Sequence, residues 1–252
     1  MNNVKFTKNN GVGILILDSP KRKNALNSED MLLLRDILSR EAQSDIYALI
    51  ISGSGDVFCS GADLSEIISI IGKHKKDQEL QSNDMSKLCD AIQNFPLPTV
   101  CALNGSAYGG GVEIACACDF RIAVSNIEIM VPPAKIGIHY HPAGIKRFLY
   151  IFGASTTKRL LLTATKMSEK ELKNVGFFDE IINEGENVIE KAYDFIKLCK
   201  ELSPEAVRGM KLSINDIVMD SVNTQSFNSR IKQTLESRYL ERQLKFIKEK
   251  NS

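Results

Sequence analysis

The chain has 252 residues, 43% of them hydrophobic, a length and composition that support one large domain or two small ones around a sizeable core. Its 32 Lys and Arg stand against 31 Asp and Glu, a formal net charge of +1. No global field is available to gather nucleic acid or an anionic membrane, so a phosphate-bearing ligand must be met by local charge.

The opening "MNNVKFTKNNGVG" has no sustained apolar stretch after a basic start. Nowhere does an apolar run reach the roughly eighteen residues of a membrane span, so the expectation is a cytoplasmic protein with no membrane partner. "GVGILILDS" reads as a strand, and "SEDMLLLRDILSREA" as a helix with Ser28 as its N-cap. "YALIISGS" is the next strand, "DMSKLCDAIQNFP" a helix closed by Pro96, and "PTVCALNG" a strand running into a glycine turn. The polar stretch 72–84 reads as a mobile loop. After residue 143 the pattern is nearly continuous helix, with only "FFDEIIN" reading as a strand. The expectation is thus an α/β core followed by a helical appendage. Cys59, Cys89, Cys101, Cys116, Cys118 and Cys199 sit mostly inside apolar runs, as reduced buried thiols do, and C-A-C at 116–118 has the wrong spacing for a redox or zinc motif. His139 and His141 alternate on a loop with no nearby Cys or acidic pair, so no metal site is expected.

The glycine turn carries the chemistry. In "NGSAYGGGVEIACACDF" a strand, three glycines and a helix follow one another, exposing unpaired N–H groups at a helix N-terminus. Gly109, Gly110 and Gly111 lack a Cβ, so an acyl group can approach the backbone closely. The spacing fits neither the dinucleotide fingerprint nor the P-loop. Glu113 is the lone carboxylate among Val112, Ile114, Ala115, Cys116 and Ala117. In such company it is either paired, with Arg121 or Arg147 as the partner, or tuned for proton transfer. A second turn of the same character, "SGSGDVFCSGADLSE", runs through Gly61 into a helical pattern beginning at Ala62, Asp63 and Leu64. Two helix N-termini could then face one oxygen.

"PKRKNALNSE", "VFCSGADLSE", "PLPTVCALNGSAYGGGVEIACACDFRIA" and "TATKMSEKELKNVGFFDEII" together resemble segments of the crotonase (enoyl-CoA hydratase/isomerase) superfamily. The resemblance implies a crotonase-like spiral of ββα units over 1–195 and a helical C-terminal trimerisation region over 196–252, assembled as a homotrimer or a dimer of trimers. It implies an acyl-CoA thioester substrate whose CoA belongs to the substrate, with no separate cofactor. By the same analogy the amides of Ala62 and Gly110 form an oxyanion hole, with Gly61, Asp63, Leu64 and Gly109 around it. Lys23, Asn24 and Ala25 lie along the adenine end of CoA, with Lys21, Arg22 and Lys23 as the basic side chains for its phosphates.

The sequence departs from the family where hydratases place a second glutamate: in "VPPAKIG" that position is Pro133, which transfers no proton. The next segment, "GIHYHPAGIKRF", carries Tyr140 and Gly144 and resembles the methylmalonyl-CoA decarboxylase branch, although that branch has histidine where this chain has Ala62. Tyr140 is either a pocket wall or a catalytic donor. The leading expectation is an acyl-CoA lyase of enoyl-CoA hydratase type with Glu113 as acid and base. The alternatives are a malonyl-type acyl-CoA decarboxylase, an enoyl-CoA isomerase, or a non-catalytic acyl-CoA binding protein; nucleic-acid binding has no basic stripe to support it.

Overall fold

The computed structural model describes residues 3–66, 84–183 and 185–250. Strand β1 (Val4–Asn9) pairs antiparallel with β2 (Val12–Leu17) through Asn10 and Gly11, both at positive φ, the hairpin turn that Asn-Gly favours. Helix α1 (Ser28–Glu41) follows, capped by Asn27 rather than by Ser28. The Asn27 side chain accepts from the Asp30 N–H while the Asp30 carboxylate accepts from the Asn27 N–H, a reciprocal pair that Ser28 lacks.

Three stacked turns of the spiral come next. Strands β3 (Ala48–Gly53) and β4 (Val57–Cys59) lead to residues 64–66, which are helical, and then to α2 (Asp84–Gln93). Strands β5 (Thr99–Leu103) and β6 (Ser106–Tyr108) lead to α3 (Gly110–Ala117). Strands β7 (Phe120–Val124) and β8 (Glu128–Met130) lead, past a 3-10 turn at Pro133–Ile136, to α4 (Pro142–Lys158). The expected 72–84 loop lies outside the described residues except for Asp84, which opens α2.

The first strand of each turn joins a six-stranded sheet in the order β1-β2-β3-β5-β7-β10, with β10 at Glu180–Ile182, parallel from β2 onward. The second joins a four-stranded sheet, β4-β6-β8-β9, with β9 at Met167–Ser168. Strand β3 is buried along its whole length, as a central parallel strand covered on both faces must be. Leu49 and Ile51 face the main core with α1, α2 and α3, while Ala48 and Ile50 face a second core under α6 (Val188–Ile196).

Beyond α4 the reading of nearly continuous helix needs correcting. A π-helical turn at Arg159–Thr163 ends at Ala164 in the left-handed region, and Met167–Ser168 then forms β9, antiparallel to β8. Short α5 (Glu169–Asn174) leads to β10 (Glu180–Ile182), narrower than the expected strand. Helices α7 (Pro204–Val218), α8 (Thr224–Leu235) and α9 (Arg238–Lys250) complete the described residues. Helix α7 is tied to the core by Lys211, whose Nζ donates to the Leu97 carbonyl at 2.8 Å and to Asp119 at 2.6 Å. The described cysteines are unpaired, and five of the six are buried.

Candidate active site

The site forms where the second strands of two successive turns end in glycine. Gly109 adopts φ 52° and ψ −120°, open in practice only to glycine, and its N–H donates to the Met130 carbonyl. Gly61, at φ 90°, packs directly on this turn: a Cβ there would lie 2.7 Å from the Gly110 nitrogen. Gly111 sits as closely on β4, where a Cβ would come 2.3 Å from the Cys59 carbonyl oxygen. These contacts bring the two turns together.

Ala62 pairs with Leu26 in an isolated parallel bridge whose two bonds use the Gly61 carbonyl and the Asp63 N–H. The N–H of Ala62 itself stays outside the ladder. Gly110, first residue of α3, has no intrahelical acceptor. Among the described residues neither N–H is donated to any acceptor. Met85 of α2 covers Gly110, its side chain occupying the space a Cβ would take.

Glu113 lies in the first turn of α3, where the helix dipole favours its charge, and is 1% exposed. Of the two arginines open from sequence, the structure selects Arg147 of α4, whose Nη1 donates to Glu113 Oε1 at 2.8 Å. Arg121 instead spends its guanidinium on the carbonyls of Phe177, Ala115 and Cys118. The Tyr140 hydroxyl donates to Glu113 Oε2 at 2.8 Å. Both carboxylate oxygens are therefore engaged. Gly144 permits this crowding, since a Cβ there would come 2.4 Å from the Tyr140 ring and 2.9 Å from the Glu113 carboxyl.

Burial raises the proton affinity of Glu113; the Arg147 charge and the two hydrogen bonds oppose it, and the balance stays above the ordinary carboxylate value. Burial, reinforced by the Glu113 charge, holds the Tyr140 hydroxyl well above its usual range. Tyr140 is thus a hydrogen-bond donor that stays neutral, with its ring against Phe148 at 5.2 Å between centroids.

The other expected residues divide. Pro133 opens the 3-10 turn three residues past Met130 and offers no titratable group. Lys21 and Lys23 are exposed, and Lys23 takes φ 53°. Asn24 is buried: Nδ2 donates to the carbonyls of Ser54, Val57 and Phe58, and Oδ1 accepts from Ser19, so its side chain is consumed in holding the turn. Ala25, partly buried, follows it. Arg22 is engaged by Asp30 and Asp63, and Asp63 also accepts from the Ser65 N–H as a helix cap, while Leu64 is exposed. His139 donates to the Tyr140 carbonyl, and His141 caps α4 by accepting from Ala143 through the Nδ1 that also meets Ser86. Among the described residues no cluster of three or more His, Cys, Asp or Glu is placed to hold a metal ion.

Sequence reasoning missed Asp90 and Gln93 of α2, both of which accept from Arg147, Gln93 at 2.8 Å. The signal was present: two polar residues three apart on the helix face that also carries Cys89 and Ile92.

Residues 7–245 match the protein family described as enoyl-CoA hydratase/isomerase. The chain is 30% identical over 227 residues to the enoyl-CoA isomerase/hydratase fer4 of Mycosarcoma maydis, covering 81% of this chain and 77% of that one. It is 30% identical over 210 residues to the ethylmalonyl-CoA decarboxylase of Mus musculus, covering 82% of this chain and 65% of the relative. The crystal structure of an enoyl-CoA hydratase from Bacillus anthracis superposes with a TM-score of 0.82 at 25% identity, covering 98% of this chain and 96% of that one.

Proposed function

The chain belongs to the enoyl-CoA hydratase/isomerase family, and from that premise we propose that it is an acyl-CoA thioester lyase working through a thioester enolate. The observation that carries this reading is the pair of N–H groups, Ala62 and Gly110, that have no acceptor among the described residues and that Gly61 brings together beside a buried carboxylate. Preorganised amides in a water-poor pocket stabilise the charge that collects on the thioester oxygen, each by about 3 kcal/mol.

The geometry favours decarboxylation of a malonyl-type acyl-CoA over hydration. Hydration by two glutamates needs a second carboxylate to hold the attacking water, and here that position is Pro133. In decarboxylation the bond from Cα to the substrate carboxylate breaks, carbon dioxide leaves, and the electron pair enters the enolate held by Ala62 and Gly110. Glu113, its proton affinity raised by burial, then protonates Cα and is reprotonated from water. Tyr140 orients Glu113 throughout. The likeness to ethylmalonyl-CoA decarboxylase supports this order of preference.

Hydration remains the second reading, supported by the likeness to the Bacillus anthracis hydratase. One panel separates the two. Methylmalonyl-CoA and ethylmalonyl-CoA should release carbon dioxide, whereas crotonyl-CoA should keep its conjugated-thioester absorbance; the opposite pattern would make the protein a hydratase. A protein that binds every ester and turns over none is the acyl-CoA binding protein. For the C-terminal helices we propose the family-like trimer, supported by exposed apolar side chains on α7 at Met210, Ile214 and Ile217. Sedimentation at the mass of a monomer would remove it.

A further inference from the structure

Arg147 serves two carboxylates with one guanidinium. Its Nε donates to Gln93 Oε1, Nη1 to Glu113 Oε1, and Nη2 to Asp90 Oδ1. Three acceptors on two helices fix the guanidinium plane. Asp90 and Gln93 share a face of α2, and that end of α2 is held in turn by Asn215 of α7, which donates to the Gln93 carbonyl at 2.6 Å.

The charges do not balance. One guanidinium against Glu113 and Asp90 leaves one negative charge in excess. The side chain of Asp90 is 46% exposed and that of Glu113 is 1% exposed, so water solvates the charge on Asp90 and the excess is most easily relieved by a proton on Glu113. We propose that Arg147 is the positioning residue for Glu113, and that Asp90 keeps Glu113 proton-accepting by drawing guanidinium charge away from it. Asp90 makes no hydrogen bond with Glu113 and acts through Arg147. The functional meaning rests on the proposed role of Glu113 as acid and base; the charge coupling does not.

The other ionisable groups facing Glu113 among the described residues are of a different kind. Cys89 on α2 and Cys116 on α3 itself are buried thiols whose proton affinities burial raises, and Tyr140 stays neutral. His141 directs Nδ1 at Ser86 and the Ala143 N–H rather than at the carboxylate. Asp90 and Arg147 are therefore the charges that set the balance.

The test is a carboxyl titration that needs no turnover. Glutamate is labelled with carbon-13 at the side-chain carboxyl, the Glu113 resonance is assigned by its loss in Glu113→Gln, and its midpoint is followed in the intact protein. Asp90→Asn keeps an oxygen for Arg147 and removes the charge; the midpoint should fall by about 0.5 to 1 pH unit. Asp90→Glu should restore it, and the acid limb of any pH–rate profile should move in parallel. Asp90→Ser serves the same purpose should the amide variant fail to fold. A midpoint unmoved or raised in the neutral variants, with the melting temperature showing a folded protein, overturns the proposal, because a merely structural Asp90 would change stability and leave the titration alone. A midpoint that falls while no CoA ester is turned over would retain the coupling and remove the enzymatic reading.

Discussion

The two ends of α3 each carry an ion pair, and they are built differently. Just past its C-terminal end, Asp119 accepts from the Thr99 N–H, the Thr99 hydroxyl and Lys211, with one backbone donor among three. In the first turn, among the described residues, Glu113 accepts only from two side chains, is almost wholly buried, and sits beside two N–H groups with no acceptor. The Asp119 pair joins β5, β7 and α7, as a staple would. The Glu113 pair leaves its carboxylate with raised proton affinity, which a staple does not need and proton transfer does. One short helix thus separates a group that holds the fold from a group that handles protons.

The comparison breaks first at Glu113. Glu113→Gln should keep the fold, because the amide oxygen still accepts from Arg147, and should lower turnover of the active CoA ester by about 10²–10⁴-fold. Next is Gly61→Ala, which adds a methyl against the Gly110 nitrogen at a position of positive φ. Turnover should fall about 10²–10³-fold, the cost of losing one oxyanion donor. At the other end of the helix, Lys211→Met should leave the rate per folded molecule unchanged and cost about 2–3 kcal/mol of stability, read as a lower denaturant midpoint. That figure is the value for breaking a buried pair, reduced because Asp119 is partly exposed. Tyr140→Phe removes one hydrogen bond to a charged group, worth about 1.5 kcal/mol, so turnover should fall roughly tenfold.

The smallest effect is on the pH dependence of stability. The folded-state pKa of Glu113 lies above its unfolded value near 4.5, so the folded protein binds the extra proton. Its contribution is fully present below that value and is lost as pH rises through the raised one. Melting temperatures of wild type minus Glu113→Gln should decline across that window; a difference that climbs with pH would mean a carboxylate stabilised as the anion.

The site was legible where the chain announces it chemically. A lone carboxylate two residues past three glycines is visible as a string, and Pro133 is visible where the family resemblance implies a second carboxylate. Which arginine meets Glu113 was not legible, because Arg121 and Arg147 differ only in where the sheet and α4 carry them. Asn24 reads as a ligand contact from its place in the motif, yet its side chain is spent on three carbonyls that only the folded turn assembles. The parallel strands β3 and β5 are long apolar runs and were plain; β4, β6, β8 and β9 span two or three residues each and carry no readable period. The hairpin of β1 and β2 had its signal in Asn10-Gly11.

The central claim is that Ala62 and Gly110 hold a thioester enolate within reach of Glu113. If Glu113 protonates Cα in one direction, it must remove an α-proton in the other, so the most direct measurement is α-proton exchange of propionyl-CoA and butyryl-CoA in deuterium oxide. Wild type should incorporate deuterium at Cα, and Gly61→Ala and Glu113→Gln should each suppress it; bound esters that keep every α-proton in the wild-type protein would contradict the account.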